Sequence, residues 1–277
     1  MPKQIDYHAM VRKMIKDSEV VVEVIDARFP SLCRAKKYEK MVQRHPQKSL
    51  LVAMNKVDLI PDRVARAWKS ILQEEGLYVI GTSARERLST AILKKAILRS
   101  APKNMFYITA CFIGLPNTGK SALINILKGR SSAGVAPIPG YTKALQVLRI
   151  TTRLRIFDTP GVIPPQISKT KQILLGVIRP EQLDDTVKAA WSLVHQIDEL
   201  NPGSVSKTYN IEYEDPIDFL EKFAERRNRR KKGGELDLET AANIFLNEYI
   251  QGKIPVWEDP KSYLKTKQEK EEGESLI

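Results

Sequence analysis

Cysteine and histidine are scarce in this chain. Its two cysteines, Cys33 and Cys111, lie far apart, and Cys111 sits inside an apolar run. Free thiols in a reducing compartment are therefore expected rather than a disulfide, which points to the cytoplasm. The three histidines, His8, His45 and His195, show no ligand spacing, which argues against a zinc site. No apolar run approaches the ~20 residues of a membrane span. The first residues, Met1-Pro2-Lys3-Gln4-Ile5-Asp6, lack the apolar stretch of a secretory signal.

Charge, by contrast, is plentiful and uneven. Residues 1–180 carry 31 Lys and Arg against 12 Asp and Glu, a net +19, while residues 181–277 carry 14 against 21, a net −7. A first segment this basic points to a polyanionic partner, the plainer alternative being a basic soluble enzyme.

The chemistry centres on Gly114-Leu115-Pro116-Asn117-Thr118-Gly119-Lys120-Ser121, which fits the phosphate-loop pattern G-x-x-x-x-G-K-[ST]. An apolar run, Met105 to Ile113, precedes it and reads as a buried strand. Ala122 to Leu127 follow with helical spacing. Strand, glycine loop and helix are the context that the motif requires. The N–H groups of Asn117, Thr118, Gly119, Lys120, Ser121 and Ala122 would face the phosphates at a helix N-terminus. Lys120 would reach the β- and γ-phosphates, and Ser121 would ligate Mg²⁺.

Two further strands end in polar turns. Ser49 to Met54 runs into Asn55-Lys56-Val57-Asp58. Guanine presents an N1–H and an N2–H₂ side by side, and one carboxylate accepts both, so Asp58 is the candidate base reader. Asn55 would brace the phosphate loop and contact the base, and the Lys56 stem would cover the base face. Leu77 to Ile80 ends in Gly81-Thr82-Ser83-Ala84, whose N–H groups at Ser83 and Ala84 suit guanine O6. An N-K-x-D or a small-residue turn is weak evidence alone. Together with the phosphate loop, each at the end of a strand, they describe a guanine-nucleotide site in an open α/β sheet.

Gly129 to Thr142 is rich in Gly, Ser, Ala and Pro: either a surface loop or a segment that orders on ligand binding. Ala144–Ile150 and Leu154–Phe157 read as paired strands. The second ends in Asp158-Thr159-Pro160-Gly161. Asp158 suits the Mg²⁺ shell, and the Gly161 N–H suits a γ-phosphate oxygen. Earlier in the chain, Val20 to Ile25 is a β-branched strand ending in Asp26-Ala27-Arg28. Residues 31–45 and 86–100 read as helices. Lys36, Lys40 and Arg44 share one face of the first of these, either a solvated face or a nucleic-acid contact.

The set of motifs resembles the translation-factor class of GTPases with its order rotated. N-K-x-D (Asn55–Asp58) and the Thr82-Ser83-Ala84 turn come first, then Gly114–Ser121, Thr142 and Asp158–Gly161. This arrangement, with a D-A-R element at Asp26–Arg28, is similar to the YlqF/YawG family of circularly permuted GTPases from about residue 11 to about residue 255. The resemblance implies a permuted α/β phosphate-loop domain with a mostly parallel sheet flanked by helices, followed by a small all-α domain. It implies slow GTP hydrolysis stimulated by ribosomal particles, and a role in assembling the large ribosomal subunit through rRNA. Thr142 would close on Mg²⁺ and the γ-phosphate, so that Lys120, Thr142 and Gly161 carry catalysis. Asn117 matches an asparagine that helps to hold K⁺ in potassium-dependent relatives. Val162 stands where Ras-like enzymes orient water with glutamine, which leaves open a GTP-dependent RNA-binding scaffold with negligible turnover.

Pro164-Pro165 marks a break, and the remainder reads as helical. One stripe joins Leu183, Val187, Ala190, Trp191, Val194 and Ile197. Asp215-Pro216 opens a helix that ends in Arg226-Arg227-Asn228-Arg229-Arg230-Lys231-Lys232, and Asp237 caps another. The basic run either complements the helix dipole or contacts RNA. It exceeds what the dipole needs, and arginine suits phosphate. The expected organisation is a GTPase domain over 1–165, a helical RNA-binding domain over 166–256 and a mobile charged tail over 257–277. The expected partners are GTP or GDP, Mg²⁺, K⁺ through Asn117, and ribosomal RNA or precursor particles. Neither DNA nor a membrane is expected as a partner, and off the ribosome the protein is expected to be a monomer.

Overall fold

The computed structural model describes residues 6–129, 135–136, 147–158 and 167–274. The chain divides into two compact units: Met1–Pro164 with Pro260–Ile277, and Pro165–Asp259.

The first unit is built on a seven-stranded sheet. In chain order the strands are β1 (Val20–Asp26), β2 (Ser49–Asn55), β3 (Tyr78–Gly81), β4 (Ile108–Ile113), β5 (Val135–Ala136), β6 (Val147–Arg149) and β7 (Leu154–Asp158). Their spatial order is β3-β2-β1-β4-β7-β6-β5. The first five in that order are parallel; at one edge β6 pairs antiparallel with β7, and β5 antiparallel with β6. Every residue of β1 is buried, as expected of a central parallel strand covered on both faces.

Helices α1 (Tyr7–Lys16), α2 (Lys36–Gln43), α3 (Asp62–Glu74), α4 (Thr90–Ser100) and α5 (Lys120–Lys128) flank the sheet. Leu93 and Ile97 of α4 and Leu123, Ile124 and Leu127 of α5 pack on Val22, Ala110, Phe112 and Ile156. On the other face Val11, Met14 and Ile15 of α1 and Tyr38 and Val42 of α2 pack on Val21, Cys111, Ile113 and Phe157. The alternation along each strand therefore feeds two cores.

Three boundaries differ from the sequence reading. The helix expected over 31–45 begins only at Lys36, because the Ala35 N–H is captured by the Glu23 carboxylate of β1. The helix expected over 86–100 begins at Thr90, because Ser83 and Leu88 pair as an antiparallel bridge that holds the intervening residues in a turn. The end of the chain, expected as a mobile tail from residue 257, contains helix α11 (Pro260–Glu274), which belongs to the first unit. Its Tyr263 ring lies 4.9 Å from that of buried Trp68 on α3. Tyr263 Oη and Lys267 Nζ donate to Glu75 at 3.0 and 2.9 Å. The composition is charged, but two anchors on one helical face suffice to dock it.

Glu75 also accepts from Arg34, which pairs with Glu39, itself close to Glu23. Burial, then the neighbouring Glu39 charge, push the Glu23 carboxyl up from its usual 4.5 to about 8. Because its folded pKa lies above its unfolded one, protonated Glu23 stabilises the fold fully below pH 4.5. That contribution is lost as pH rises through about 8. Unfolding free energy should therefore fall as pH rises across this window. Glu23→Gln, which keeps an acceptor for the Ala35 N–H, should flatten the fall. Urea midpoints at pH 5 to 8 measure this, and parallel slopes for the two proteins would refute it.

The second unit is all helical: α6 (Lys169–Leu174), α7 (Thr186–Leu200), α8 (Ser204–Tyr209), α9 (Pro216–Arg226) and α10 (Leu238–Ile250). Asp185, Asp215 and Asp237 cap α7, α9 and α10 with their carboxylates. Tyr209, Phe219, Phe223 and Phe245 form its aromatic centre. Trp191, read as part of the inward stripe, is instead 41% exposed and stacks on His195. Ala189, Ala190, Leu193, Val194 and Ile197 supply the buried face of α7.

Candidate functional site

The parallel strands β1, β2, β3, β4 and β7 end on one edge of the sheet. The turns that follow them bring the sequence motifs together there, where open α/β sheets bind ligands.

The loop from Gly114 to Lys120 leaves β4 and enters α5. Its shape depends on two glycines. Gly114 has φ +142° and a Cβ there would lie 2.3 Å from the Val24 carbonyl oxygen, so the loop presses against β1. Gly119 has φ +97° and a Cβ there would lie 2.1 Å from Asn55 Nδ2. Asn117 also adopts positive φ, as asparagine tolerates. Lys120 is buried; its Nζ donates to the carbonyls of Gly114 and Leu115 at 3.1 and 2.8 Å, holding the ammonium inside the curl of the loop. Thr118 is buried with its hydroxyl on the Leu115 carbonyl. Ser121 and Ala122, at the start of α5, are exposed.

Asn55 ties this loop to the base-reading turns. Its Nδ2 donates to the Thr118 carbonyl at 2.8 Å, and its Oδ1 accepts from the Ala84 N–H at 3.1 Å and from Thr82 Oγ1 at 3.4 Å. One buried amide thus joins three sequence motifs. The Ser83 N–H donates to the Leu88 carbonyl. The two N–H groups expected to meet guanine O6 are therefore both engaged within the chain. Guanine would reach that of Ala84 only by sharing it with Asn55.

Lys56 is left-handed (φ 66°), and its Nζ lies 2.8 Å from Asp26 Oδ2. Asp26 ends β1 directly beside Asn55 in register and also receives Arg28 at 2.8 Å. Burial alone would raise the Asp26 pKa, but the Arg28 and Lys56 charges outweigh it and hold the carboxyl well below the usual range. The Asp26-Ala27-Arg28 element thus anchors the lysine of N-K-x-D. The sequence marked this element without giving it a task; its position at a strand end was the available signal. The Asp58 carboxylate is 4% exposed and lies 3.1 Å from Arg85 Nη2, the residue after Ser83-Ala84.

Asp158 ends β7 beside Phe112 of β4, next to the phosphate loop. Thr142, Gly161 and Val162 lie outside the described residues. Mg²⁺ commonly takes few protein ligands and fills its shell with phosphate oxygens and water. An exposed hydroxyl at Ser121 and the Asp158 position at the adjacent strand end fit that demand. Among the described residues no group of three or more His, Cys, Asp or Glu is placed to hold a metal ion.

The comparisons with known proteins agree with this geometry. A family described as 50S ribosome-binding GTPase matches residues 109–231. An uncharacterized GTP-binding protein of Methanocaldococcus jannaschii is 30% identical over 94% of this chain and 69% of its own length. The chain superposes on GDP-bound YlqF of T. maritima with a TM-score of 0.66 and 26% identity, covering 91% of this chain and 99% of that one. It belongs to the YlqF/YawG family of circularly permuted GTPases. Nucleolar GTP-binding protein 2 of Neurospora crassa is 36% identical over 95% of the chain, and that of Kluyveromyces lactis 33% over 95%. The chain spans only about half the length of those relatives: 42% and 52%. Membership accounts for the rotated order. In this chain the strand of the phosphate loop, β4, stands fourth in sequence yet lies central in the sheet, between β1 and β7.

In the second unit, the basic run does two jobs. Arg226 donates to the carbonyls of Tyr209 and Asn210 at the end of α8, and Arg227 pairs with buried Glu248 at 3.0 Å. Both are structural. Beyond α9 the chain turns back on itself, with Arg230 and Leu236 paired as a bridge. The side chains of Arg229, Lys231 and Lys232 are exposed on this turn. No helix among the described residues is long and apolar enough to cross a membrane.

Proposed function

We propose that this protein binds and hydrolyses GTP and acts as an assembly factor on the large ribosomal subunit, docking through rRNA. The observation that carries the proposal is the Asn55 bracket. It fixes the phosphate loop and the guanine-reading turns relative to one another, which a nucleotide site requires and a chance assembly of motifs would not supply. The printed names of the relatives, a 50S ribosome-binding GTPase family and nucleolar GTP-binding proteins, support the ribosomal assignment.

In this reading Asp58 accepts the guanine N1–H and N2–H₂, while Lys56, steadied by Asp26, lays its stem along the base. Lys120 exchanges its loop carbonyls for β- and γ-phosphate oxygens, and the N–H groups of Asn117 to Ala122 complete the cradle. Ser121, Thr142 and Asp158 would hold Mg²⁺, which offsets phosphate charge. The Gly161 N–H would meet the γ-phosphate. Arg229, Lys231 and Lys232, exposed on the turn after α9, would meet rRNA phosphates.

Phosphate release with and without large-subunit particles tests the reading. Stimulated turnover supports it. GTP-dependent particle binding with no turnover would instead favour a scaffold, the alternative that Val162 keeps open. Hydrolysis should also run faster in KCl than in NaCl at equal ionic strength, and Asn117→Ala should remove the difference. Equal parent rates in the two salts would remove K⁺ from the site.

A further inference from the structure

The end of the sheet opposite the nucleotide site carries a feature that nucleotide chemistry does not use. Phe106 and Tyr107 precede β4, and Phe106 is 89% exposed, Tyr107 39%. Beside them begins β7, where Ile108 pairs with Leu154 and the Ile108 N–H donates to the Arg153 carbonyl. The Arg155 guanidinium lies 3.7 Å over the Tyr107 ring. Arg149 of β6 stands directly opposite Arg155 across the antiparallel ladder, so both arginines project from one face. Arg149, Arg153 and Arg155 are all exposed. Neither residues 99–107, which add Arg99 and Lys103, nor residues 147–157 contain a carboxylate. Nearby Glu19 is committed to the Thr109 N–H at 2.7 Å.

We infer that Phe106, Tyr107, Arg149, Arg153 and Arg155 form a binding platform for single-stranded RNA. Like charges opposed across a ladder destabilise it, and a polyanion lying between them relieves this. A polyanion alone would not explain a ring left open to solvent beside the cations. An unpaired base supplies both parts, a phosphate for the arginines and a flat face for Phe106, whereas bases within a duplex have their faces covered. An acidic peptide would satisfy the arginines and leave the ring unused. The choice of RNA rests on the ribosomal reading above. The platform lies at the N-terminal ends of the parallel strands, away from the phosphate loop. RNA binding here should therefore be equal with GDP and with a GTP analogue.

The test uses the full chain and a fluorescein-labelled 12-nucleotide oligouridylate, read by anisotropy against salt in both nucleotides. Phe106→Ala should weaken binding roughly tenfold, and Phe106→Trp should retain it. The double variant Arg153→Gln/Arg155→Gln should shallow the log–log salt slope by about 1.4. Each variant should bind GDP as the parent does, which reports on folding. Parent-like oligonucleotide binding by Phe106→Ala, or an unchanged salt slope in the double variant, would overturn the inference. So would equal binding of poly-glutamate, or of a duplex of the same length. Sedimentation with large ribosomal subunits separates this inference from the wider reading. If the parent fails to sediment but its oligonucleotide affinity depends on Phe106, the ribosomal role falls and the platform stands. If it sediments and Phe106 is immaterial, the platform falls alone.

Discussion

Asp58→Asn should lose guanine nucleotides and accept xanthine nucleotides. The parent carboxylate offers two acceptors to the adjacent guanine N1–H and N2–H₂. The amide replaces one acceptor with a donor that faces the N2–H₂. The Asp58 side chain is only 4% exposed, so water repairs little of the mismatch. A buried pairing broken in this way costs on the order of 2–5 kcal/mol, roughly 30- to 5000-fold in affinity. Xanthine carries a carbonyl at that position, and the new amide donor suits it. Arg85, 3.1 Å from the same carboxylate, gives the substitution a second effect, since a neutral amide releases its ion pair. That pair is exposed on the arginine side and should contribute under about 1 kcal/mol, too little to mask the base effect. Calorimetric titration with GDP and with xanthosine diphosphate decides the matter. Unchanged GDP affinity with no preference for the xanthine nucleotide would show that Asp58 does not read the base.

Gly119→Ala should abolish nucleotide binding and lower stability together. The added methyl would sit 2.1 Å from Asn55 Nδ2 on a backbone with φ +97°. Backbone strain of this kind costs about 1–3 kcal/mol. The clash also has a direction: the side chain that must move is the one joining the Thr118 carbonyl to the Ala84 N–H and Thr82 hydroxyl. Displacing Asn55 uncouples the phosphate loop from the base-reading turns. A loss of more than 100-fold in GDP affinity is therefore expected, with a fall in Tm of several degrees, at about 2–4 °C per kcal/mol for a chain of this size. Adding Asn55→Ala should relieve the clash and restore part of the stability, because it removes the obstructing amide. It should not restore binding, because the bracket is gone. Full recovery of GDP affinity in the double variant would show that Asn55 matters only as an obstacle.

Much of this was legible in the chain itself. The phosphate loop announces itself through residue types that few other structural tasks demand in that spacing, whereas N-K-x-D, the Thr82-Ser83-Ala84 turn and Asp158 gained meaning only by each following a strand alongside it. The β-branched or apolar runs before them required strands. Local chemistry also placed the caps at Asp215 and Asp237. What spacing could not supply was any fact that depends on two distant segments meeting. The partnership of Asp26 with Lys56 arises because β1 and β2 lie side by side in register, so that residues 30 positions apart face one another. The engagement of the Ser83 and Ala84 N–H groups, the late start of α2 under Glu23, and the docking of α11 on Trp68 and Glu75 have the same origin. So does the division of the basic run, where Arg226 and Arg227 look like the other cations until α8 and Glu248 are brought beside them. Residue type and short-range spacing determined the elements and the kind of ligand. Only the packing of strands and helices decided which polar groups remain free to meet it, because a buried donor or acceptor must find a partner and takes the one the fold places nearest.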